Sequence, residues 1–358
     1  MTSGEAPGRP GRAAVVGTGL IGGSLGLALR RRGWWVVGWD RDPARLDRAA
    51  ELGVIDEPGR GEKVDITFVA TPVGAVIDEA RVALERSAVV TDVAGVKQSV
   101  VTGLADPRFV GGHPMAGSEQ LGLDGSDANL FEGATWVLTP VETTDAEAFT
   151  RVRDVVTSLG AHAVAVSPSD HDLLVAVVSH VPHLTAATLM TLASEGADEH
   201  AALLRMAAGG FRDMTRIAAG HPAIWPEIAA ANRTAIVATL DRLIDSLGSV
   251  RKLVDVEDRD GLLALLQSAH LARRNLPVRP VRPEDLVELR VPIPDRPGAL
   301  AEVTTLAGEL GVNIEDLTIA HSPEGAGGTM LMVVDARSAD LMRGALIARG
   351  FRPSAQSL

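Results

Sequence analysis

The spacing of hydrophobic and polar positions divides the chain into three parts. As far as about residue 168, short apolar runs typical of buried strands alternate with stretches of helical spacing. Alternation of this kind predicts an α/β domain with a parallel, doubly wound sheet. The predicted strands are 13–16, 34–39, 65–70, 89–92, 108–112, 135–139 and 162–166.

Residues 169–276 contain no convincing strand pattern and read as an all-α domain. Apolar residues repeat at helical spacing, as at Leu173, Leu174, Val177 and Val178. The same spacing recurs at 224–247 and 262–271. Several of these helices are apolar on more than one face. Such helices need partners beyond one small domain, so we predict a helical dimerisation domain and a homodimer.

The C-terminal part has a third pattern. A Pro/Arg-rich linker at 277–284 precedes a strand at 286–293, a helix at 299–310, a strand from Ile314, a strand at 329–334, a helix at 338–349 and a short tail. This βαββαβ order predicts a ferredoxin-like α+β domain. The predicted organisation is a disordered leader 1–11, an α/β domain 12–168, an all-α domain 169–276, the linker, and an α+β domain 285–358.

Composition narrows the functional classes. The net charge of −12, from 34 basic and 46 acidic side chains, argues against nucleic-acid binding, and an anionic substrate would need locally placed cations. With no cysteine, disulfides and thiolate metal sites are excluded. The polar N-terminus has no signal-peptide pattern, and no uninterrupted apolar run reaches membrane-spanning length. We predict a soluble cytoplasmic protein without a membrane partner.

A glycine motif lies between the first strand and the first helix. Gly17, Gly19 and Gly22 fit Gly-x-Gly-x-x-Gly, in which the glycines form a tight turn and let a dinucleotide pyrophosphate approach the helix N-terminus. Asp40 ends the second strand, where an acid bonds the ribose hydroxyls and favours NAD over NADP, although neighbouring Arg41 weakens that preference. The predicted NAD-binding residues are Gly17, Gly19, Leu20, Ile21, Gly22, Asp40, Thr71 and Pro72.

His113 lies in the glycine-rich segment 111–119. We expect this segment to be a loop after the carboxyl end of the strand that precedes it, which is where open α/β sheets bind ligands. Histidine suits general acid/base chemistry near pH 7, so His113 is the candidate catalytic residue. On its own, such a histidine also fits an ordinary packing role.

Four motifs together resemble the prephenate dehydrogenase family of tyrosine biosynthesis. They are Gly17–Ser24, Gly111–Glu119, Ser179–His183 and Phe211–Ala218, and the segment Asp295–Leu300 resembles an ACT-domain signature. The resemblance implies a Rossmann domain, a helical dimerisation domain and a C-terminal ACT domain. Members of the family oxidise prephenate, or its amino analogue arogenate, with NAD(P) and release CO2.

The resemblance also implies roles for single residues. His113 takes the proton of the substrate hydroxyl, Arg216 binds a substrate carboxylate, His183 and Trp225 line the substrate pocket, and Glu119 lies near its mouth. Without the resemblance, Arg216 with Arg212 could be a solvated charged face and Trp225 could be core. His180 and His183 could be a metal pair, but no third ligand is evident, so we predict no metal site and leave His180 structural.

Two further features bear on regulation and rate. The turn of Asp295 and Gly298 opens a helix whose free amides could take an amino-acid carboxylate, and Asn313 offers an amide near the facing strand, so tyrosine is the expected effector. Gly95 stands where the family usually has a serine close to the catalytic histidine.

Other functions stay open at this stage. The substrate could be prephenate or arogenate, because the residues that face its side chain are not identified. The chain could also be another Rossmann enzyme with a helical dimerisation domain, such as a β-hydroxyacid dehydrogenase or an imine reductase. A third possibility is a regulator that senses nucleotide and amino acid without catalysis. The presence of His113 and Arg216 argues against a regulator, but Gly95 in place of the family's usual serine leaves the possibility open.

Overall fold

The computed structural model describes residues 11–117, 120, 122–199, 206–220, 222–275, 286–294, 296–321 and 328–357. Two compact units divide the chain, Met1–Gln267 and Ser268–Leu358. Apart from Gly11, the predicted leader lies outside the described residues, as does the linker 277–284. The predicted domain boundaries therefore stay predictions.

A mixed sheet forms the centre of the N-terminal unit. Its strands, in the described part of the chain, are β1 (Arg12–Val16), β2 (Trp35–Trp39), β3 (Glu57–Pro58), β4 (Val64–Val69), β5 (Ser87–Asp92), β6 (Phe109–Pro114), β7 (Thr135–Thr139) and β8 (His162–Ala165). The strand order is β3-β2-β1-β4-β5-β6-β7-β8. Neighbouring strands are parallel except β6 and β7, which are antiparallel. The doubly wound α/β prediction is confirmed, with this reversal and the short β3 as additions.

Five helices pack on this sheet within the described residues. They are α1 (Leu20–Arg31), α2 (Pro43–Glu51), α3 (Val73–Leu84), α4 (Gln98–Leu104) and α5 (Ala146–Ser158). Helix α5 shows how the sequence specifies them: Asp145 caps its first turn by accepting the Ala148 amide, and Ala148, Val152 and Val155 bury one face. Strand β1 is buried at four of its five positions, as expected for a parallel sheet covered on both faces.

Helices follow the sheet, and no strand occurs among the described residues from 168 to 275. They are α6 (Pro168–Val175), a π turn (Ala176–His180), α7 (Val181–Glu199), α8 (Gly209–Thr215), α9 (Trp225–Ala231), α10 (Arg233–Asp255) and α11 (Arg259–Arg274). The helical segment predicted at 224–247 forms two helices, α9 and α10, with a break at Asn232. The side chain of Asn232 points into the protein and is 4% exposed.

Large apolar side chains remain on the surface of these helices. Val178 is 63% exposed and Ile244 is 62% exposed, and Leu174 and Leu247 are also more than half exposed. A single chain thus leaves an apolar surface of the kind that the sequence predicts for a dimer interface.

The helical run Pro168–Gly196 is, among the described residues, long and apolar enough to cross a membrane by length and composition. The sequence does not predict it, because polar residues interrupt the apolar pattern. Two of these, Asp172 and His180, are buried within the protein. One such helix is weak evidence for a membrane span.

The C-terminal unit is a four-stranded antiparallel sheet with two helices in its described part. In chain order the elements are β9 (Leu286–Ile293), α12 (Ala299–Glu309), β10 (Ile314–His321), β11 (Gly328–Asp335), α13 (Ala336–Ala348) and β12 (Ser354–Ser357). The strand order is β10-β11-β9-β12. The helices pack Val303, Leu306 and Met342 against Leu289 and Met332 of the sheet. The βαββαβ prediction is confirmed, and the predicted tail forms β12.

Candidate active site

The turn between β1 and α1 has the geometry that the glycine motif predicts. Gly17 has a φ of +93°, which favours glycine, and a Cβ atom on Gly22 would lie 1.8 Å from the Gly17 carbonyl oxygen. A Cβ atom on Gly19 would meet nothing within 4 Å, so the space beside this residue is open. Since Gly19 also precedes the first turn of α1, a phosphate can approach the helix amides there.

The end of β4 borders the same edge of the sheet. Within the described residues, the buried hydroxyl oxygen of Thr71 has no hydrogen-bond partner, and Pro72 precedes the first turn of α3. A buried polar atom without a partner is rare and fits a group that a ligand satisfies. Together with the open glycine turn, this residue set fits bound NAD.

Asp40 is held at the end of β2 by protein donors. One carboxylate oxygen accepts the amide of Thr18 at 2.8 Å, and the other accepts the amide of Asp42 at 3.0 Å. Burial acts to raise the pKa of Asp40, but these amide hydrogen bonds and Arg45 outweigh it, so the pKa lies below its ordinary value. Asp40 is therefore ionised at neutral pH, and its contact with a ribose stays a prediction.

His113 lies in strand β6, so the prediction of a loop at this position is wrong. It pairs with Val137 of the antiparallel β7. The glycines before it serve close packing: a Cβ atom on Gly111 would lie 2.3 Å from Thr139 Oγ1, and one on Gly112 would lie 2.7 Å from the Asp92 carbonyl oxygen. Glycine-rich sequence here marks a crowded strand end.

Two histidines and an aspartate form a chain of hydrogen bonds. His113 Nδ1 lies 2.8 Å from His171 Nε2, and His171 Nδ1 lies 2.8 Å from Asp172 Oδ1. An ionised carboxylate accepts only, so His171 donates from Nδ1 and, when neutral, accepts at Nε2. His113 must then donate from Nδ1. The lone pair of a neutral His113 is left on Nε2, as a proton acceptor requires.

The carboxylate of Asp172 is fixed from two directions. The amides of Lys97 and Gln98 donate to its two oxygens at 2.8 and 3.0 Å. The amide nitrogen of Asn232 donates to the Asp172 carbonyl oxygen at 2.8 Å and lies 3.2 Å from His180 Nδ1. This inward-facing asparagine at the α9–α10 break connects His180 to the hydrogen-bonded chain His113–His171–Asp172, which we call the His113 relay.

His113 and His180 are held neutral. Burial is the largest effect and lowers the pKa of His113 well below its ordinary value, and His171, Lys97 and His180 lower it further. Burial also lowers the pKa of His180 to about 4, against the opposing effect of Asp172. A neutral His113 is the form that can accept a proton.

Gly95 faces the proton-accepting atom. A Cβ atom built on it would lie 3.7 Å from His113 Nε2 and 3.8 Å from Cε1. The residue at position 95 therefore borders the space in front of the His113 lone pair.

Aromatic and cationic residues gather at a second side of the cluster. The ring of His183 stacks on Trp225 with a centroid distance of 3.7 Å and an interplanar angle of 15°, and His180 meets the same indole edge-on at 6.2 Å. Arg216 begins a 3-10 turn that ends at Ala219. A Cβ atom on the following Gly220 would lie 3.5 Å from His183 Cε1, so this turn borders the stacked pair.

The structure thus brings His183, Trp225 and the turn of Arg216 together, and it links them through His180 to the His113 relay. Glu119 lies outside the described residues. The residues that sequence reasoning missed are His171, Asp172, Asn232, Asp92 and Lys97. An adjacent His-Asp pair at the start of a largely apolar helix was the available signal. The possible metal pair is not supported by contacts, since His180 bonds Asn232 and His183 stacks on Trp225.

The predicted regulatory residues lie in the C-terminal unit. Gly298 has a φ of +88°, precedes α12, and has open space where a side chain would be. The side-chain amide of Asn313 bonds Glu315. Asp295 lies outside the described residues, and the regulatory role of all three stays a prediction.

Comparison with known families divides the chain in the same way. Residues 25–165 match the family model for the nucleotide-binding domain of prephenate dehydrogenase, and residues 167–268 match the dimerization domain of prephenate dehydrogenase. Residues 287–341 match the ACT domain.

Whole-chain comparisons agree. The chain is 34% identical over 334 residues to prephenate dehydrogenase of Bacillus subtilis (strain 168), covering 88% of this chain and 90% of that protein. It resembles the structure of prephenate dehydrogenase from Aquifex aeolicus in complex with hydroxyphenyl propionate and NAD+, at 30% identity and a TM-score of 0.71, over 76% of this chain and 100% of that chain. It also resembles arogenate dehydrogenase of Synechocystis, at 32% identity and a TM-score of 0.65, over 74% of this chain and 99% of that chain.

Proposed function

Because the chain belongs to the prephenate dehydrogenase family, we propose that it oxidises prephenate to 4-hydroxyphenylpyruvate with NAD and releases CO2. The observation that carries this proposal is the His113–His171–Asp172 relay. Its hydrogen bonds leave the Nε2 lone pair of a neutral, half-buried histidine directed at the space beside Gly95. We place the substrate hydroxyl there.

The chemistry asks the protein for one proton acceptor. The ring carbon that bears the hydroxyl loses a hydride, and the hydroxyl loses its proton to His113 Nε2 as a carbonyl forms. Bound NAD supplies the hydride acceptor. Loss of the ring carboxylate as CO2 moves its electron pair onto the carbonyl oxygen and gives an aromatic phenolate, which takes up a proton to become the phenol. The protein therefore mainly has to hold the substrate in position. The relay supports the imidazolium that forms on His113, because His171 and Asp172 lie on its far side.

The substrate carboxylates need cations, since the chain as a whole is acidic. We assign one carboxylate to Arg216, whose planar guanidinium suits bidentate pairing. The stacked rings of His183 and Trp225 border the turn of Arg216 and would form an apolar wall against the substrate ring. Glu119, near the mouth of the pocket, is assigned from the family resemblance.

Nicotinamide reduction followed by absorbance tests this function. Prephenate, arogenate and a 3-hydroxy acid are offered separately with NAD to the full chain. Turnover of prephenate at a higher kcat/KM than arogenate supports the proposal. Preference for arogenate would make the chain an arogenate dehydrogenase that forms tyrosine directly. Binding of NAD without turnover of any substrate would favour a sensing regulator.

The assembly is proposed to be a cytoplasmic homodimer built through the helical domain. Support comes from the match to a dimerization domain and from the exposed apolar residues of its helices, such as Val178 and Ile244. Sedimentation of the purified chain should give twice the monomer mass of 37.4 kDa. A monomer at micromolar concentration would contradict this.

The ACT domain is proposed to bind tyrosine and inhibit the enzyme. The turn before α12, with Gly298 in the left-handed region and open space beside it, allows a carboxylate to approach the helix amides. Asp295 and Asn313 are the assigned partners of the amino acid. Calorimetry with tyrosine should show binding that Asn313→Ala weakens, and millimolar tyrosine should slow turnover. Absence of both effects would leave the domain a structural role.

A further inference from the structure

A fully buried ion pair lies beside the His113 strand. Lys97 Nζ bonds Asp92 Oδ2, and neither side chain is exposed to solvent. Asp92 also accepts the Gly112 amide at 3.0 Å and the Ala94 amide at 3.0 Å. These two amides immediately precede His113 and Gly95, so Asp92 holds the backbone on both sides of the proposed proton-accepting atom.

Lys97 joins this pair to the relay. Its backbone amide donates to Asp172 Oδ1 at 2.8 Å, and a Cβ atom on Gly111 would lie 3.3 Å from Lys97 Cδ. The side chain of Lys97 therefore passes against the strand of His113, while its backbone supports Asp172. A buried ion pair is weak evidence for a contribution to stability, because apolar residues of similar volume often serve as well. The fixed charges of this pair matter more for the protonation of a nearby titratable side chain such as His113.

The titratable groups around His113 come from three elements. Helix α6 supplies His171 and Asp172, the π turn supplies His180, and the end of β5 with the segment after it supplies Asp92 and Lys97. The ammonium of Lys97 opposes a positive charge on His113, in the same direction as burial. Removing that ammonium makes protonation of His113 less costly, and an imidazolium cannot accept a proton.

We propose that Lys97 is a positioning residue whose buried ammonium, paired with Asp92, helps to keep His113 in the neutral form. The proposal rests on the proposed function, in which His113 takes the proton of the substrate hydroxyl. Lys97 is among the groups that lower the pKa of His113, after burial and His171. Burial lowers the pKa of Lys97 itself, whereas Asp92 and then Asp172 act to raise it.

The pH dependence of kcat/KM at saturating NAD tests the proposal. On the acid side, kcat/KM falls as His113 becomes protonated. Lys97→Met keeps the length of the side chain and removes its charge, so the acid limb should move up by about one pH unit. Asp92→Asn removes the partner that does most to keep the buried Lys97 protonated, so Lys97 should lose its charge and the limb should again move up. Lys252→Met, the same substitution at an exposed lysine of α10, is the matched control and should leave the limb in place.

Upward shifts in both variants separate a charge effect from a merely structural role. A structural role would lower kcat/KM by the same factor at every pH and leave the limb unmoved in both variants, which would overturn the proposal. If Lys97→Met does not fold, as judged by circular dichroism and NAD binding, Asp92→Asn decides alone, and an unmoved or lowered limb overturns the proposal. A wild-type chain inactive with both prephenate and arogenate would instead refute the proposed function.

Discussion

The two sides of the candidate site differ in how the protein holds their polar groups. On the proton side, His171, Asp172 and Asn232 are all at most 5% exposed, and each makes hydrogen bonds to its neighbours. On the carboxylate side, Arg216 is exposed and begins a 3-10 turn, and His183 is half-buried in the first turn of α7. The polar groups of the proton side are thus held by hydrogen bonds within the protein, whereas the side chains of the carboxylate side are at least partly exposed and can contact a ligand.

This difference follows from the chemistry of each side. A proton acceptor must have a fixed tautomer and a fixed direction, and buried hydrogen bonds in a low dielectric supply both. Binding a dianion requires a cation that solvent can still reach when the site is empty, because an isolated buried arginine would be costly. We therefore expect substitutions on the proton side to act on kcat, and those on the carboxylate side to act on KM.

The largest effect is expected at His113. In His113→Asn the side chain retains a hydrogen bond but cannot accept the proton, so kcat should fall by about 10²–10⁴-fold, the usual contribution of a general base. Single-turnover kinetics and NAD binding by fluorescence titration measure the two effects separately, and NAD affinity should be nearly unchanged. A variant that retains most of its turnover would remove His113 from the mechanism and erase the contrast between the two sides.

Arg216→Ala tests the carboxylate side. Loss of one charge-assisted partner of a bound carboxylate costs about 1.5–3 kcal/mol, which corresponds to an increase in the substrate KM of about 10- to 150-fold. Steady-state kinetics with prephenate measures it, with Arg212→Ala, one turn earlier and also exposed, as the matched control. If KM stays constant while kcat falls, Arg216 acts on the chemical step and the division of labour is wrong.

Asp172→Asn tests whether the relay sets the tautomer of His113. The amide keeps the size of the carboxylate but cannot accept at both oxygens from Lys97, Gln98 and His171. We expect kcat to fall by about ten- to a hundredfold, the effect of one hydrogen bond to a charged group. Asp170→Asn, at an exposed position of the same helix, should change little. Equal losses in the two variants would point to a general disturbance of α6.

The same contrast explains what the sequence could predict. Local patterns located the Rossmann sheet, the helical region, the ACT domain and the glycine turn, because each depends on spacing within a short segment. They failed at His113, since the glycines before it serve packing against Thr139 and Asp92, which lie far away in the sequence. The relay was invisible for the same reason: His171 and Asn232 acquire their roles only through long-range contacts.

The smallest effect is expected at Gly95, where the chain departs from the serine usual in its family. The structure gives a serine room, because a Cβ atom there makes ordinary contact with His113 Nε2 at 3.7 Å and no left-handed φ requires glycine. A serine hydroxyl would help to orient both the histidine and the substrate hydroxyl, a task that otherwise falls to a bridging water or to another partner of the histidine.

Gly95→Ser should therefore accelerate hydride transfer by about tenfold, the effect of one hydrogen bond of roughly 1 kcal/mol, at unchanged NAD affinity. Single-turnover kinetics measures the step directly. Gly95→Ala is the matched control, since it adds the Cβ atom without the hydroxyl and should not accelerate the reaction. A slower serine variant would mean that the hydroxyl competes with the substrate for the lone pair of His113. The proton side would then already be complete with glycine, and the serine of the family would have no equivalent role in this chain.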